Sequence, residues 1–210
     1  MVVVGSQESV GIGCGLLAAG DLDWMSNVDD AAPQSAGPRQ ARTLLYHRAL
    51  ALPVETMLIG NLRATTPTLE EHFATLVGSG PVFLRDLRKL SPEQVSWYQE
   101  KIHWFKKLRS AVAINEGFFP LGKWRLPNAA VWDGFARLSR QGEGLIAIFK
   151  NESGTERVEV RLPTFPEGSF RVRSVMTGNS LGTYSGEQIR HGIQVQLPAR
   201  YTVEVLEVRK

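Results

Sequence analysis

The spacing of apolar residues changes character near residue 113, and that change divides the chain into two kinds of structure. Before it, short apolar runs closed by glycine or proline alternate with stretches in which apolar residues recur every three or four positions. The first pattern predicts buried strands and the second amphipathic helices. Residues 80–109 are the clearest case. Pro81, Val82, Phe83 and Leu84 form a brief apolar run between Gly80 and Arg85, which predicts a strand covered on both faces. Ser91 then offers an N-cap, and Pro92 occupies the first helical position, where no backbone donor is lost. Gln94 stands where a capping box requires Glu or Gln. Val95, Tyr98, Ile102, Phe105 and Leu108 follow as one apolar stripe, with Lys101, Lys106, Lys107 and Arg109 on the rest of the surface.

Upstream, Val10, Ile12, Cys14, Leu16 and Leu17 predict a buried strand over 8–18. A polar loop over 21–38 follows, rich in Asp, Asn and Ser and carrying Trp24. Helical spacing resumes over 39–51 and stops at Pro53, 54–59 reads as a strand closed by Gly60, and Thr68 to Glu71 open a helix through Val77 as a second capping box. The order is strand, loop, helix, strand, helix, strand, helix. That alternation predicts parallel strands with crossover helices, either in an open sheet or in part of a (β/α)8 barrel. A whole barrel takes about 250 residues, so three such units would be only its last part.

Beyond Ala113, residues 116–127 read as an aromatic linker with Pro and Gly, and from Val131 the chain alternates apolar and polar positions between turns. Leu145, Ala147 and Phe149, then Val158, Val160 and Leu162, then Phe170 and Val172, Ile193 to Leu197 and Val203 to Val208 mark the strands. The turns at 151–154, 166–168 and 177–179 carry Asn, Gly and Pro, as turns require. Short strands at this spacing predict an antiparallel β-sandwich over 128–210.

Composition narrows the functional classes. The net charge is only +3 with both signs interspersed, which lacks the clustered basic footprint of a nucleic-acid binder. The single cysteine, Cys14, excludes an internal disulfide, and with His47, His72, His103 and His191 scattered there is no metal-ligand spacing. No cofactor or metal is therefore expected. No apolar run is long enough to span a bilayer, and Met1 to Val4 lack the basic start and length of a signal peptide, so a soluble chain is expected. Apolar residues from the first position suggest a piece of a longer polypeptide. A truncated barrel would expose strand edges, and either a second copy or the N-terminal portion of the barrel is expected to cover them.

Acids gather in one setting suited to catalysis, the loop holding Asp21, Asp23, Asp29 and Asp30 beyond the first strand. Parallel sheets and barrels place active sites at that edge. Cleaving a glycosidic bond needs two carboxyls on opposite sides of it, and an indole such as Trp24 can stack on a pyranose ring. The plain alternative is that these acids are solvated or cap the following helix. Gly11, Gly13 and Gly15 hint at a dinucleotide loop, but the spacing is GxGxG and no helix opens directly behind it. Cys14, His72, His103 and His191 read as ordinary packing or surface residues.

Several of these segments resemble the last part of the catalytic barrel of melibiase-type α-galactosidases. In that family a strand bearing Cys and Gly precedes a loop similar to W-x-S-D-x-x-D, and a final turn reads like G-D-L-x-K-L-S-P-E. Here Trp24-Met25-Ser26-Asn27-Val28-Asp29-Asp30 stands in the loop and Arg85-Asp86-Leu87-Arg88-Lys89-Leu90-Ser91-Pro92-Glu93 in the turn. The resemblance implies 1–115 as the C-terminal part of a (β/α)8 barrel, then the linker and the sandwich. It implies a carbohydrate substrate cleaved by a retaining pair of carboxylates; charge and apolar-run length already argue against a nucleic-acid or membrane partner. Two departures matter. The family's nucleophile sits on an earlier barrel strand with no counterpart here, and its acid/base carboxylate matches Asn27, which cannot give or take the proton. Asp30, and after it Asp29, are the substitutes; Trp24, Asn27 and Asp23 are the candidates for sugar contact. Arg85 stands where the family usually has Gly. The competing reading is a non-catalytic carbohydrate-binding or structural protein whose sandwich carries the function.

Overall fold

The structure is a computed structural model describing residues 4–6, 21–27, 36–60, 69–82, 87–122, 127–199 and 202–210. The chain forms two compact units, Met1–Leu87 and Arg88–Lys210.

In the first unit, strands β1 (Val4–Ser6), β2 (Leu22–Asn27), β3 (Met57–Gly60) and β4 (Gly80–Val82) form one sheet in chain order, each parallel to the next. Parallel neighbours cannot be joined by a hairpin, and the crossovers are made with helices α1 (Ala36–Arg48), between β2 and β3, and α2 (Leu69–Leu76), between β3 and β4. The expected loop over 21–38 therefore opens with a strand, β2. Its sequence, LDWMSN, concealed it, because Asp23, Ser26 and Asn27 break the continuous apolar run typical of a central parallel strand. The strand expected over 8–18 and the glycine loop within it lie outside the described residues.

The segment after Pro53 first makes a 3-10 turn, Val54–Thr56, closed by the Thr56 N–H and Oγ1, both donating to Pro53 O at 3.1 and 2.7 Å. Only then does it become β3. α2 is buried almost all round, from Leu69 through Phe73 to Leu76, and His72 in it has no exposed surface. This corrects the expectation of a surface histidine: a short helix between two strands has neighbours on most sides, so its polar positions are enclosed as well.

A 3-10 turn, Leu87–Lys89, carries the chain from the first unit into the second, which opens with the long helix α3 (Pro92–Ala111). Its capping box forms as expected, Gln94 N–H donating to Ser91 Oγ at 3.3 Å and Ser91 N–H to Gln94 Oε1 at 3.0 Å. Tyr98, Phe105 and Leu108 of the apolar stripe are buried. Lys101, expected on the polar surface, is buried too, because its chain runs inward to donate from Nζ to Val175 O at 2.7 Å and to pair with Glu100 at 2.8 Å.

Eight antiparallel strands follow. β5 (Gly117–Leu121), β6 (Asp133–Leu138), β7 (Gly144–Phe149), β9 (Ser169–Ser174), β10 (Ser180–Ser185) and β12 (Val203–Arg209) make a six-stranded sheet in the order β10-β9-β12-β7-β6-β5. β8 (Arg157–Val160) pairs with β11 (Ile193–Gln196) in a second, two-stranded sheet. One core joins the two sheets, with Ile146, Ile148, Phe170, Val172 and Leu206 from the larger and Val158, Val160 and Val195 from the smaller. Residues 117–121, taken from sequence as the start of a linker, are thus an edge strand, where Pro120 is tolerated. A short helix, α4 (Gly186–His191), also escaped the sequence pattern, although Ser185 and Gln188 cap it as a full capping box. Its first residue must be glycine for space: a Cβ on Gly186 would stand 1.9 Å from Pro166 O.

Both faces of β6 and β7 are buried, one by the sandwich core and the other by α3. On the helix side Arg137 lies 6.0 Å from the Phe105 ring and Trp104 Nε1 donates to Glu207 Oε2 at 2.9 Å. Nearby, Glu204 accepts at Oε1 from Ser174 Oγ at 2.7 Å and from the Val205 N–H at 2.9 Å. Its pKa is raised above the usual 4.5, burial outweighing those hydrogen bonds and the charge of Lys101. A carboxyl with a raised folded pKa contributes stability below its unfolded pKa, and that contribution is lost as pH rises through the folded value. Glu204→Gln, which keeps an acceptor for Ser174, should melt like the wild type near pH 4 and gain on it toward pH 7. Melting curves across that range test this; a gap that stays constant or narrows with pH counts against it.

Candidate functional site

In the parallel sheet, register sets where the strands end. Asn27 pairs with Gly60, and Gly60 pairs with Val82, so β2, β3 and β4 finish level along one carboxyl edge. β1 stops lower, its last residue Ser6 paired with Trp24. A bulge between Trp24 and Ser26 interrupts the β2–β3 pairing just before that edge, where bulges commonly re-aim side chains beside binding sites. Ligands of parallel sheets bind beyond the carboxyl ends.

The backbone of Asp23, Trp24 and Asn27 runs in β2 itself, with Asn27 as its final residue. Asp29 and Asp30 follow two and three residues later in the sequence, outside the described residues. The candidates for sugar contact are thus in one strand rather than in a free loop, only Asn27 of them at its carboxyl end, and the candidate acids come after it in the chain.

Beside the sheet the unit is fastened by a buried ion pair that sequence did not suggest. Arg42 of α1 donates from Nη1 to Glu71 Oε1 of α2 at 3.0 Å and to Thr75 Oγ1 at 3.3 Å, with both charged side chains almost wholly hidden from solvent. The capping box that the sequence predicts for Glu71 has Thr68 as its other member, and Thr68 lies outside the described residues. The partners are 29 residues apart, and only the parallel crossover brings them together. A clue was available: Arg42 falls beside Ala41 and Leu45 on the buried side of α1.

Among the described residues no group of three or more His, Cys, Asp or Glu is placed to hold a metal ion, and no helix is long and apolar enough to cross a membrane.

The fold of this chain, a parallel α/β unit followed by a six-stranded antiparallel sheet, matches part of solved GH36 α-galactosidases. The chain is similar to the galactosidase domain of the α-galactosidase–sucrose kinase AgaSK, at 19% identity and a TM-score of 0.68. It is similar also to the GH36 α-galactosidase AgaA from Geobacillus stearothermophilus, at 15% identity and 0.68, and to an α-galactosidase from Lactobacillus brevis, at 13% and 0.67. Each match covers 93% of this chain and 27% of the other, so the chain spans about a quarter of the length of these enzymes and shares the fold of that part. No protein-family model matches the chain, and no curated protein does.

Proposed function

We propose that the chain is the C-terminal portion of a (β/α)8-barrel glycoside hydrolase acting on α-galactoside-like bonds, with the antiparallel unit as its accessory domain. The observation that carries this reading is the strand order. The sheet runs β1-β2-β3-β4 without reversing, as consecutive barrel strands do. A doubly wound nucleotide-binding sheet instead reverses its order at the ligand site. The similarity to a quarter of each α-galactosidase supports the same reading.

On this reading Asp30 serves as acid/base, with Asp29 second. Trp24 stacks on the sugar ring, and Asn27 and Asp23 bond its hydroxyls. The nucleophile belongs to an earlier strand of the barrel, supplied by the N-terminal portion or lost with it. A retaining pair with one carboxylate cannot complete the double displacement. The 210-residue chain alone should therefore release no nitrophenol from an aryl α-galactoside. Turnover by the isolated chain, abolished in Asp30→Asn, would overturn the proposal. Asn27 favours a second reading, in which the chemistry has been lost and the protein only binds carbohydrate; joined to a nucleophile-bearing N-terminal barrel half, the chain would then bind galactosides and still not hydrolyse them.

A further inference from the structure

The second unit contains a groove that the hydrolase reading does not use. It lies between α3 and strands β9 and β12, has a volume of about 400 Å3, and is lined by Trp104, Lys107, Arg171, Arg173, Glu207 and Arg209. Four cations thus face one carboxylate. Glu207 is already engaged: its Oε2 accepts from Trp104 Nε1 at 2.9 Å and from Arg173 at Nε, 2.9 Å, and Nη2, 2.5 Å. That leaves the indole held in place along the groove and Arg173 neutralised.

The remaining cations are not balanced in the same way. Arg171 is placed directly opposite Arg209 in the β9–β12 ladder, and like charges in that relation repel. Glu143 relieves Arg209 at 3.4 Å. Arg171 reaches the main-chain oxygen of Lys210 at 3.5 Å, and no Asp or Glu side chain among the described residues pairs with it or with Lys107. A guanidinium and an ammonium without an acidic side-chain partner, beside a fixed indole, match a ligand with a flat apolar face and an oxyanion: the guanidinium takes the anion in bidentate fashion and the indole covers the ring.

We propose that this groove binds an anionic monosaccharide, a pyranose carrying a phosphate or a carboxylate, independently of any catalysis at the parallel sheet. The volume is within the range of small-ligand sites. Calorimetric titration of the full chain at low salt with galactose 6-phosphate, galacturonate, galactose and inorganic phosphate separates the contributions. The expected result is saturable binding of at least one of the two anionic sugars, at least tenfold tighter than galactose or inorganic phosphate. Binding of one and not the other identifies the oxyanion. Arg171→Ala and Lys107→Ala, both at exposed positions, should each weaken it about tenfold or more, and Arg171→Lys less. Inorganic phosphate binding as tightly as the sugars would mean an adventitious ion only. That result, no binding at all, or equal binding by the alanine variants would overturn the proposal.

Discussion

Glu71→Ala is expected to cost the first unit about 3–5 kcal/mol, the usual penalty for removing one partner of a buried ion pair. Arg42 and Glu71 are almost wholly buried, and Arg42 Nη1 also donates to Thr75. With the carboxylate gone, a guanidinium in a low-dielectric site loses the charge seated at its Nη1, and Thr75 Oγ1, a neutral acceptor, cannot replace it. The loss is a large part of the stability a small unit has, so it should appear as a lower urea midpoint for the transition reporting on the parallel sheet. Two compact units permit two transitions, and the one belonging to the antiparallel unit should be unmoved. Glu71→Gln retains an acceptor and should cost less. Replacing both partners by apolar residues of similar volume, Arg42→Met with Glu71→Leu, should recover much of the loss, since the pair's attraction chiefly offsets its own desolvation. If the double variant is as unstable as the sum of the single ones, the pair is not the cause.

Sequence made some of this architecture legible and left other parts hidden, for identifiable physical reasons. Signals carried by neighbouring residues were readable. Ser91, Pro92 and Gln94 specify the start of α3 through contacts within one turn, and that start is observed. The alternation at Leu145, Ala147 and Phe149 likewise marked β7. Hidden features depend on what arrives from elsewhere in the chain. β2 looks like a loop because its residues are polar, and it is a strand because β1 and β3 flank it. β10 is an edge strand with half-exposed or exposed residues throughout and Gly182 at φ 123°, so it has little apolar periodicity to detect. Lys101 and His72 are buried by tertiary neighbours that no local pattern encodes, and for the Arg42–Glu71 pair the local pattern hints only at the burial of Arg42, not at its partner. For the candidate site, the sequence put Trp24 and Asn27 in a loop after a strand, whereas their backbone runs in β2, with Asn27 at its carboxyl end. The groove under α3 required the cross-strand register of β9 and β12, because Arg171 and Arg209 are 38 residues apart in the sequence and become neighbours only in the ladder.

The same register logic singles out Phe135 for the second large effect. Phe135 sits on β6 with Arg137 on its own face, and Arg137 lies against Phe105 of α3, so this face is the one the helix covers. Its ring is stacked on Phe118 of β5, centroids 5.4 Å apart, and meets Phe149 of β7 at 6.0 Å, which links three strands through one fully buried side chain. Phe135→Ala should therefore cost about 3–5 kcal/mol, from the lost transfer of the ring and the cavity left in a face that cannot collapse against a rigid sheet. Phe135→Leu keeps most of the volume and should lose less, while giving up the stacking with Phe118. Because the cavity opens beneath α3 and not inside the sandwich core, amides of α3 should lose hydrogen-exchange protection before those of β8 and β11. Equal deprotection of α3 and of β8 and β11 would mean that the helix and the sandwich unfold as one, and that Phe135 supports the whole unit rather than the seat of the helix.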